Sequence, residues 1–230
     1  AIGKGYTVKF VVPQKFSMEK QTLMRALGAE IVNTPTELGM KGAIAKAEEL
    51  VKETPGAFSP SQFSNPANPE TYVHTLGPEL WRDLDGRINV FVAGAGSGGT
   101  FMGTAKYLKN QNVDIKTVIV EPQGSILNGG EAGSHYTEGI GMEFLPGYMD
   151  KTYFNAIHTV TDKNAFEKMR VLAKEEGLLV GSSSGAAFYA ALEEAKVAEP
   201  GSHIVTIFAD SSERYLSQNV YELLKEDEAQ

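Results

Sequence analysis

Residues 88–100 read I-N-V-F-V-A-G-A-G-S-G-G-T, an apolar run that stops at four glycines within six positions. A helix-compatible stretch, 101–108, follows directly. The pattern is a strand that turns into a helix through a glycine loop. Glycine accepts positive φ and lets backbone approach a ligand closely, while the N–H groups of the turn and the new helix converge where an anion is favoured. The stretch therefore predicts an α/β fold with a phosphate cradle at 94–100. A tight strand-to-helix turn that holds nothing is the lesser reading, given the glycine density.

On both sides of this stretch, apolar β-type runs alternate with helical periodicity, as in α/β proteins built on a parallel sheet. Residues 6–12 read as a strand, and Ser17 as the N-cap of a helix whose Leu23, Met24 and Leu27 share a face and whose exit is Gly28. A strand at 29–33 comes next. Met40, Ala43, Ile44, Ala47 and Val51 then recur at helical spacing until Thr54-Pro55 ends the helix. Residues 60–69 are irregular and rich in Pro, Asn and Ser, which predicts a crossing between a smaller domain at 1–65 and a larger one at 66–230. In the larger part the pattern predicts a helix at 78–84, a strand at 117–120 and a long glycine-rich loop at 124–148. A helix at 161–176 closes at Gly177, a short buried strand at 178–180 precedes a helix at 186–195, and 204–208 completes the sheet. A terminal helix at 214–224 leads into an acidic tail.

Composition narrows the function classes. With 230 residues, 42% hydrophobic and 22% charged, the chain is long enough for a substantial core. A net charge of −8 and no Lys/Arg cluster argue against nucleic acid or an anionic membrane as partner. No apolar run reaches membrane-spanning length and no signal peptide is visible. The absence of Cys removes disulfides, thiolate metal sites and a Cys nucleophile, and fits a cytoplasmic protein. His74, His135, His158 and His203 are scattered without metal-ligand spacing, so no metal is expected.

Four constellations carry candidate chemistry. Gly94, Gly96 and Gly99 form a literal G-x-G-x-x-G after a strand, and Glu121 ends the next strand 22 residues past Gly99. That matches a dinucleotide fingerprint, with the acid for ribose hydroxyls. Gly181-Ser182-Ser183-Ser184-Gly185 is a triple serine at another strand-to-helix turn, where hydroxyls also serve as helix caps. Gln62-Phe63-Ser64-Asn65-Pro66-Ala67-Asn68-Pro69 is a stiff polar loop, either connector or substrate contact. Thr137-Glu138-Gly139-Ile140-Gly141 lies in the long loop, of a length typical of lids and binding loops.

Taken together, S-M-E-K-Q (17–21), A-L-G-A-E-I-V (26–32), G-M-K-G-A-I (39–44), Q-F-S-N-P-A-N-P-E (62–70), G-P-E-L-W (77–81), G-S-G-G-T (96–100), E-G-I-G (138–141), G-S-S-S-G-A-A (181–187) and S-E-R-Y-L-S (212–217) resemble the cysteine synthase/cystathionine β-synthase family. These are fold-type II pyridoxal phosphate enzymes. E-P-Q-G-S-I-L-N-G-G (121–130) with D-S-S-E-R-Y-L-S (210–217) is similar to the bacterial branch that uses O-acetylserine, some members of which make cystathionine from homocysteine rather than cysteine from sulfide.

The resemblance implies two α/β domains with mostly parallel sheets, as in tryptophan synthase β, and pyridoxal 5'-phosphate as cofactor. It implies a homodimer that takes O-acetylserine or serine together with a sulfur nucleophile. Gly96, Ser97, Gly98, Gly99 and Thr100 would hold the cofactor phosphate, and Ser183 the pyridine nitrogen. Gln62 would bind the substrate carboxylate, and Gly139, Ile140 and Gly141 would line the site. The family's Ser-x-Lys-Asp-Arg motif, whose lysine carries the cofactor and shuttles a proton, and its Thr-x-Gly-Asn-Thr-Gly loop occur nowhere in the chain. None of the 16 lysines sits in a comparable setting, and Lys41 reads as a surface residue, so no catalytic residue is carried to any position. The opening Ala1-Ile2-Gly3-Lys4-Gly5-Tyr6 reads as the end of a helix begun upstream, and the expectation is a C-terminal part, inactive alone, of such an enzyme. Two other readings stay open: an NAD(P)- or FAD-dependent oxidoreductase, and a non-catalytic binding subunit of the same fold.

Overall fold

Every strand of the computed structural model, which describes residues 1–224, pairs in parallel. The described backbone divides into two units, residues 1–60 with 213–220, and residues 61–212 with the chain from 221.

In the first unit β1 (Lys9–Pro13) pairs with β2 (Glu30–Thr34), Val11 opposite Val32. α1 (Met18–Ala26) connects them. Its Ser17 hydroxyl accepts the Lys20 N–H at 3.1 Å, and the chain leaves through Gly28 at φ +93°. α2 (Gly39–Glu53) follows and packs on both strands with Ala43 buried. Residues 213–220 return to this unit, where the Glu19 carboxylate accepts the Ser217 N–H at 2.7 Å and its hydroxyl at 2.9 Å.

The second unit is built on β3 (Val90–Gly94), β4 (Lys116–Pro122), β5 (Ala156–Val160) and β6 (Ile204–Thr206), in the order β5-β4-β3-β6. β3 and β4 are unbroken apolar runs because they are covered on both faces. Phe91 and Ala93 pack with Phe101, Ala105 and Leu108 of α5 (Gly99–Gln111). Val90 and Val92 alternate to the other face, and the sheet is also met by α7 (Ser182–Ala195), whose Ala186, Ala187 and Ala190 are buried. α7 is tied down by its buried Glu194, which bonds Lys116 of β4 and, at 2.8 Å, His158 of β5. α6 (Asp162–Glu176) lies along α7, while α3 (Ala67–His74) lies along α5 and α4 (Leu76–Asp83) also packs on α5.

From β3 the chain passes through α5 to β4 on one side, whereas β6 joins β3 on the other. The C-terminal ends of β3 and β6 therefore flank the topological switch point, the place where open α/β sheets bind ligands. The glycine loop sits there.

Three local expectations change. The stretch 178–180 is no strand: Leu178 and Leu179 are exposed, the Leu178 N–H bonds back to Leu172 at the end of α6, and only Val180 makes an isolated bridge, to Ser211. The terminal helix at 214–224 is instead a 3₁₀ segment, Ser212–Gln218. Ser17 bonds the Arg214 carbonyl and Glu19 the Ser217 amide, so side chains take groups that an α-helical ladder would need. The irregular stretch expected at 60–69 gives way to α3 at Ala67, just after Pro66. The acidic tail lies outside the described residues. Among those described, no helix is long and apolar enough to cross a membrane.

Candidate active site

The cradle begins where β3 ends at Gly94 and α5 starts at Gly99. Gly98, at φ +85°, is the N-cap, and no side chain caps the helix. A helix leaves its first amides without internal partners. Here the Gly99 N–H meets only the Ser97 hydroxyl, at 3.5 Å, and the Thr100 and Phe101 amides find no acceptor among the described residues. Residues 97–100 thus offer amides and two hydroxyls at the positive end of a thirteen-residue helix dipole. That donor set fits a phosphate group.

The glycines themselves have a different reason than ligand approach. A Cβ on Gly94 would lie 2.8 Å from Ile140 Cγ2, one on Gly96 2.5 Å from the Gly139 carbonyl oxygen, and one on Gly99 2.0 Å from Asn68 Oδ1. Their missing side chains admit two loops to the cradle, 62–68 and 137–142. The fingerprint-like spacing records loop packing.

The second of these loops is pinned on both sides of its apex. Asp162 at the start of α6 accepts the Tyr136 N–H (2.8 Å), the Thr137 N–H (2.9 Å) and the Thr137 hydroxyl (2.7 Å). The Ser182 hydroxyl accepts the Glu138 N–H at 3.1 Å, the Ala95 carbonyl the Gly141 N–H at 2.9 Å, and the Ser125 hydroxyl the Met142 N–H at 2.9 Å. Between these anchors the Gly139 and Ile140 amides meet no acceptor among the described residues.

The triple serine divides its labour. α7 is N-capped by Gly181 without a side-chain bond, so the serines do not cap their own helix. Ser182 holds the 138 amide, and the Ser184 hydroxyl is buried without a partner. Ser183 bonds nothing among the described residues and lies beside the loop apex, its Oγ 3.9 Å from where a Gly139 Cβ would be. A hydroxyl left over in this place fits the pyridine nitrogen that the resemblance assigns to it.

Gln62 is held by its backbone and free at its side chain. Its carbonyl accepts Asn68 Nδ2 at 2.8 Å and the Tyr148 hydroxyl at 2.7 Å. The same two side chains reach the cradle, Asn68 Nδ2 to Ser97 Oγ at 2.9 Å and Tyr148 Oη to the Ser97 carbonyl at 3.0 Å. Burial raises the Tyr148 phenol above its ordinary pKa despite its bonds to Ser97 and Asn68, so the group stays a neutral donor. Sequence reasoning singled out neither residue: Tyr148 belongs to no motif, and Asn68 stood only as one member of a polar loop. The second compact unit alone thus brings together Gln62, Gly96–Thr100, Gly139, Ile140 and Ser183.

Glu121 is fully buried, and its carboxylate accepts the Leu127 N–H (2.8 Å), the Asn128 N–H (3.1 Å) and the Thr159 hydroxyl (2.9 Å). It braces the start of the glycine-rich loop. The acid that a dinucleotide ribose would need is therefore engaged inside the protein.

An anion cradle at the switch point of a parallel sheet, faced by a free hydroxyl and a tethered polar loop, defines an α/β protein built around a phosphate-bearing cofactor. A family model described as pyridoxal-phosphate dependent enzyme matches residues 1–210, and the chain belongs to that family. It is 61% identical over 218 residues to the O-acetylserine dependent cystathionine beta-synthase of Bacillus subtilis (strain 168), covering 95% of this chain and 71% of that protein. It is 54% identical to a cysteine synthase of Helicobacter pylori (strain ATCC 700392 / 26695), over 92% of this chain and 69% of that protein. The crystal structure of the O-acetylserine dependent cystathionine beta-synthase from Helicobacter pylori superposes with a TM-score of 0.94 at 52% identity, over 96% of this chain and 72% of that one. The cofactor of the family is pyridoxal phosphate, and nothing in these relatives supports a dinucleotide oxidoreductase.

Proposed function

We propose that this chain, together with the lysine-bearing segment its 230 residues do not contain, catalyses β-replacement on O-acetylserine in sulfur amino-acid biosynthesis, giving cysteine from sulfide or cystathionine from homocysteine. The observation that carries this reading is the assembled site of the second unit in a chain 61% identical to an O-acetylserine dependent cystathionine beta-synthase. Pyridoxal phosphate, when bound, draws electrons from the substrate's α-carbon, so that a proton and acetate leave and a sulfur nucleophile adds at the β-carbon.

The chain's own residues supply positioning. Amides 98–100 with the Ser97 and Thr100 hydroxyls hold the phosphate. The Ser183 hydroxyl meets the ring nitrogen as a neutral partner. Unlike a carboxylate, it does not hold that nitrogen protonated, which moderates electron withdrawal and suits elimination over other carbanion chemistry. The Gln62 amide donates to the substrate carboxylate, and the open amides of Gly139 and Ile140 line the same space. We take the enzyme to be a cytoplasmic homodimer, on the absence of cysteine from the sequence and on the family resemblance. Thermal unfolding tests the cofactor half of the proposal: pyridoxal phosphate should raise Tm by several degrees and NAD(H) should leave it unchanged. Protection by NAD(H) alone would overturn it.

A further inference from the structure

An unassigned pair of half-buried side chains joins the substrate loop to the phosphate cradle, and its reading rests on the function just proposed. Asn68 and Tyr148 come from opposite flanks, the start of α3 and the end of the long loop, and bond each other at 3.1 Å. Each also lies within hydrogen-bond distance of the Gln62 carbonyl and a Ser97 oxygen, so the single Tyr148 proton is shared between two carbonyls, with that of Gln62 the nearer, and the two Asn68 protons among three acceptors. The Gln62 main chain is thereby held beside Ser97 of the cradle, while its amide side chain meets no partner among the described residues. Asn68 is in turn seated against Gly99, where no Cβ would fit.

We infer that Tyr148 is a positioning residue for the substrate: its hydroxyl, donating its one proton between the Gln62 and Ser97 carbonyls and accepting from Asn68, holds the backbone of Gln62 beside Ser97 and so sets the distance between the substrate's carboxylate and the cofactor's phosphate. It touches neither molecule and acts through Gln62. The Tyr148→Phe variant removes the hydroxyl and keeps the ring, leaving Asn68 to hold Gln62 with one bond.

The test has two arms on the holoenzyme and one on the protein without cofactor. Tyr148→Phe should raise KM for O-acetylserine three- to tenfold, the worth of one or two neutral hydrogen bonds, with kcat within twofold and cofactor absorbance retained. In a Gln62→Ala background the same substitution should change KM less than twofold, because the residue it acts through is gone. Without cofactor, amide hydrogen exchange of the segment 61–66 should quicken at least threefold in Tyr148→Phe, with β3 unchanged. The inference fails if KM and exchange both stay at the wild-type values. It fails equally if the variant loses cofactor with KM unchanged, or if the KM effects of Tyr148→Phe and Gln62→Ala add. A wild-type enzyme indifferent to O-acetylserine would sink the proposed function instead, and the exchange arm would then decide the clamp alone.

Discussion

Replacing Gly96 with alanine isolates the claim that the cradle's glycines exist to seat the loops. Gly96 has no positive φ, so alanine suffers no backbone strain there. Its Cβ would lie 2.5 Å from the Gly139 carbonyl oxygen, a distance real Cβ contacts do not show. The obstacle is main chain and cannot rotate away. The apex must retreat by about 0.5 Å to reach the shortest tolerated contact and by about 0.9 Å to reach an ordinary one, against its anchors at Ala95 and Ser182. Overpacking of this kind costs about 1–3 kcal/mol, which in a protein of this size lowers Tm by about 3 °C or more. A shift of about 1 Å in groups lining a reaction site costs on the order of a hundredfold in rate. Steady-state kinetics on Gly96→Ala should therefore show kcat/KM down by about two orders of magnitude, and calorimetry the lower Tm. Gly147→Ala is the control, since a Cβ there meets nothing within 4 Å. Wild-type kinetics and Tm for Gly96→Ala would refute the packing argument.

Other consequences are separable. Ser183→Ala should leave Tm within about 1 °C of wild type, because the hydroxyl has no partner among the described residues, while activity falls about tenfold or more; calorimetry beside kinetics checks the split. Glu121→Gln replaces an acceptor of three hydrogen bonds by a group that accepts on one atom only, and should cost about 1–3 kcal/mol in denaturant unfolding. An unchanged midpoint would show that the brace is not structural. Burial pushes the Glu194 carboxyl up, but the bonds from Lys116 and His158 outweigh it and hold its pKa below the ordinary glutamate range. The stabilisation is thus present above the unfolded glutamate pKa, about 4.3, and lost as pH falls through the folded value. Tm measured against pH should show Glu194→Gln less stable than wild type at neutral pH, with the gap closing at the acid end. A gap constant across pH would count against it.

Local signals made much of the scaffold legible. The spacing from Met40 to Val51 marks α2, Ser17 and Gly28 mark both ends of α1, and the run stopping at Gly94 marks β3. What escaped depends on partners remote in sequence. The 3₁₀ form of Ser212–Gln218 is dictated by Glu19, 198 residues from Ser217. The Tyr148–Gln62 contact spans 86 residues. β5 reads A-I-H-T-V, where His158 and Thr159 interrupt the kind of apolar run that marks β3, a strand of the same length. The three serines were legible as a motif but not by role. Successive residues on a helix point about 100° apart, so only the phase of α7 decides that Ser182 holds a loop, Ser184 is buried and Ser183 is left over. Similarly, G-x-G-x-x-G here records where neighbouring loops come close, whereas in a dinucleotide site the same spacing serves the turn, the pyrophosphate and helix packing.

The central claim is that this cradle holds pyridoxal phosphate for exchange at the β-carbon of O-acetylserine. The most direct measurement is mass-spectrometric product analysis of the holoenzyme, with the lysine-bearing segment that these 230 residues lack, given O-acetylserine with sulfide or with homocysteine, alongside acetate release. The account predicts acetate and one sulfur amino acid, cysteine or cystathionine, in equal amounts and only with pyridoxal phosphate bound. Acetate release without a sulfur product, turnover that persists without the cofactor, or no reaction of the loaded enzyme with either nucleophile would contradict it.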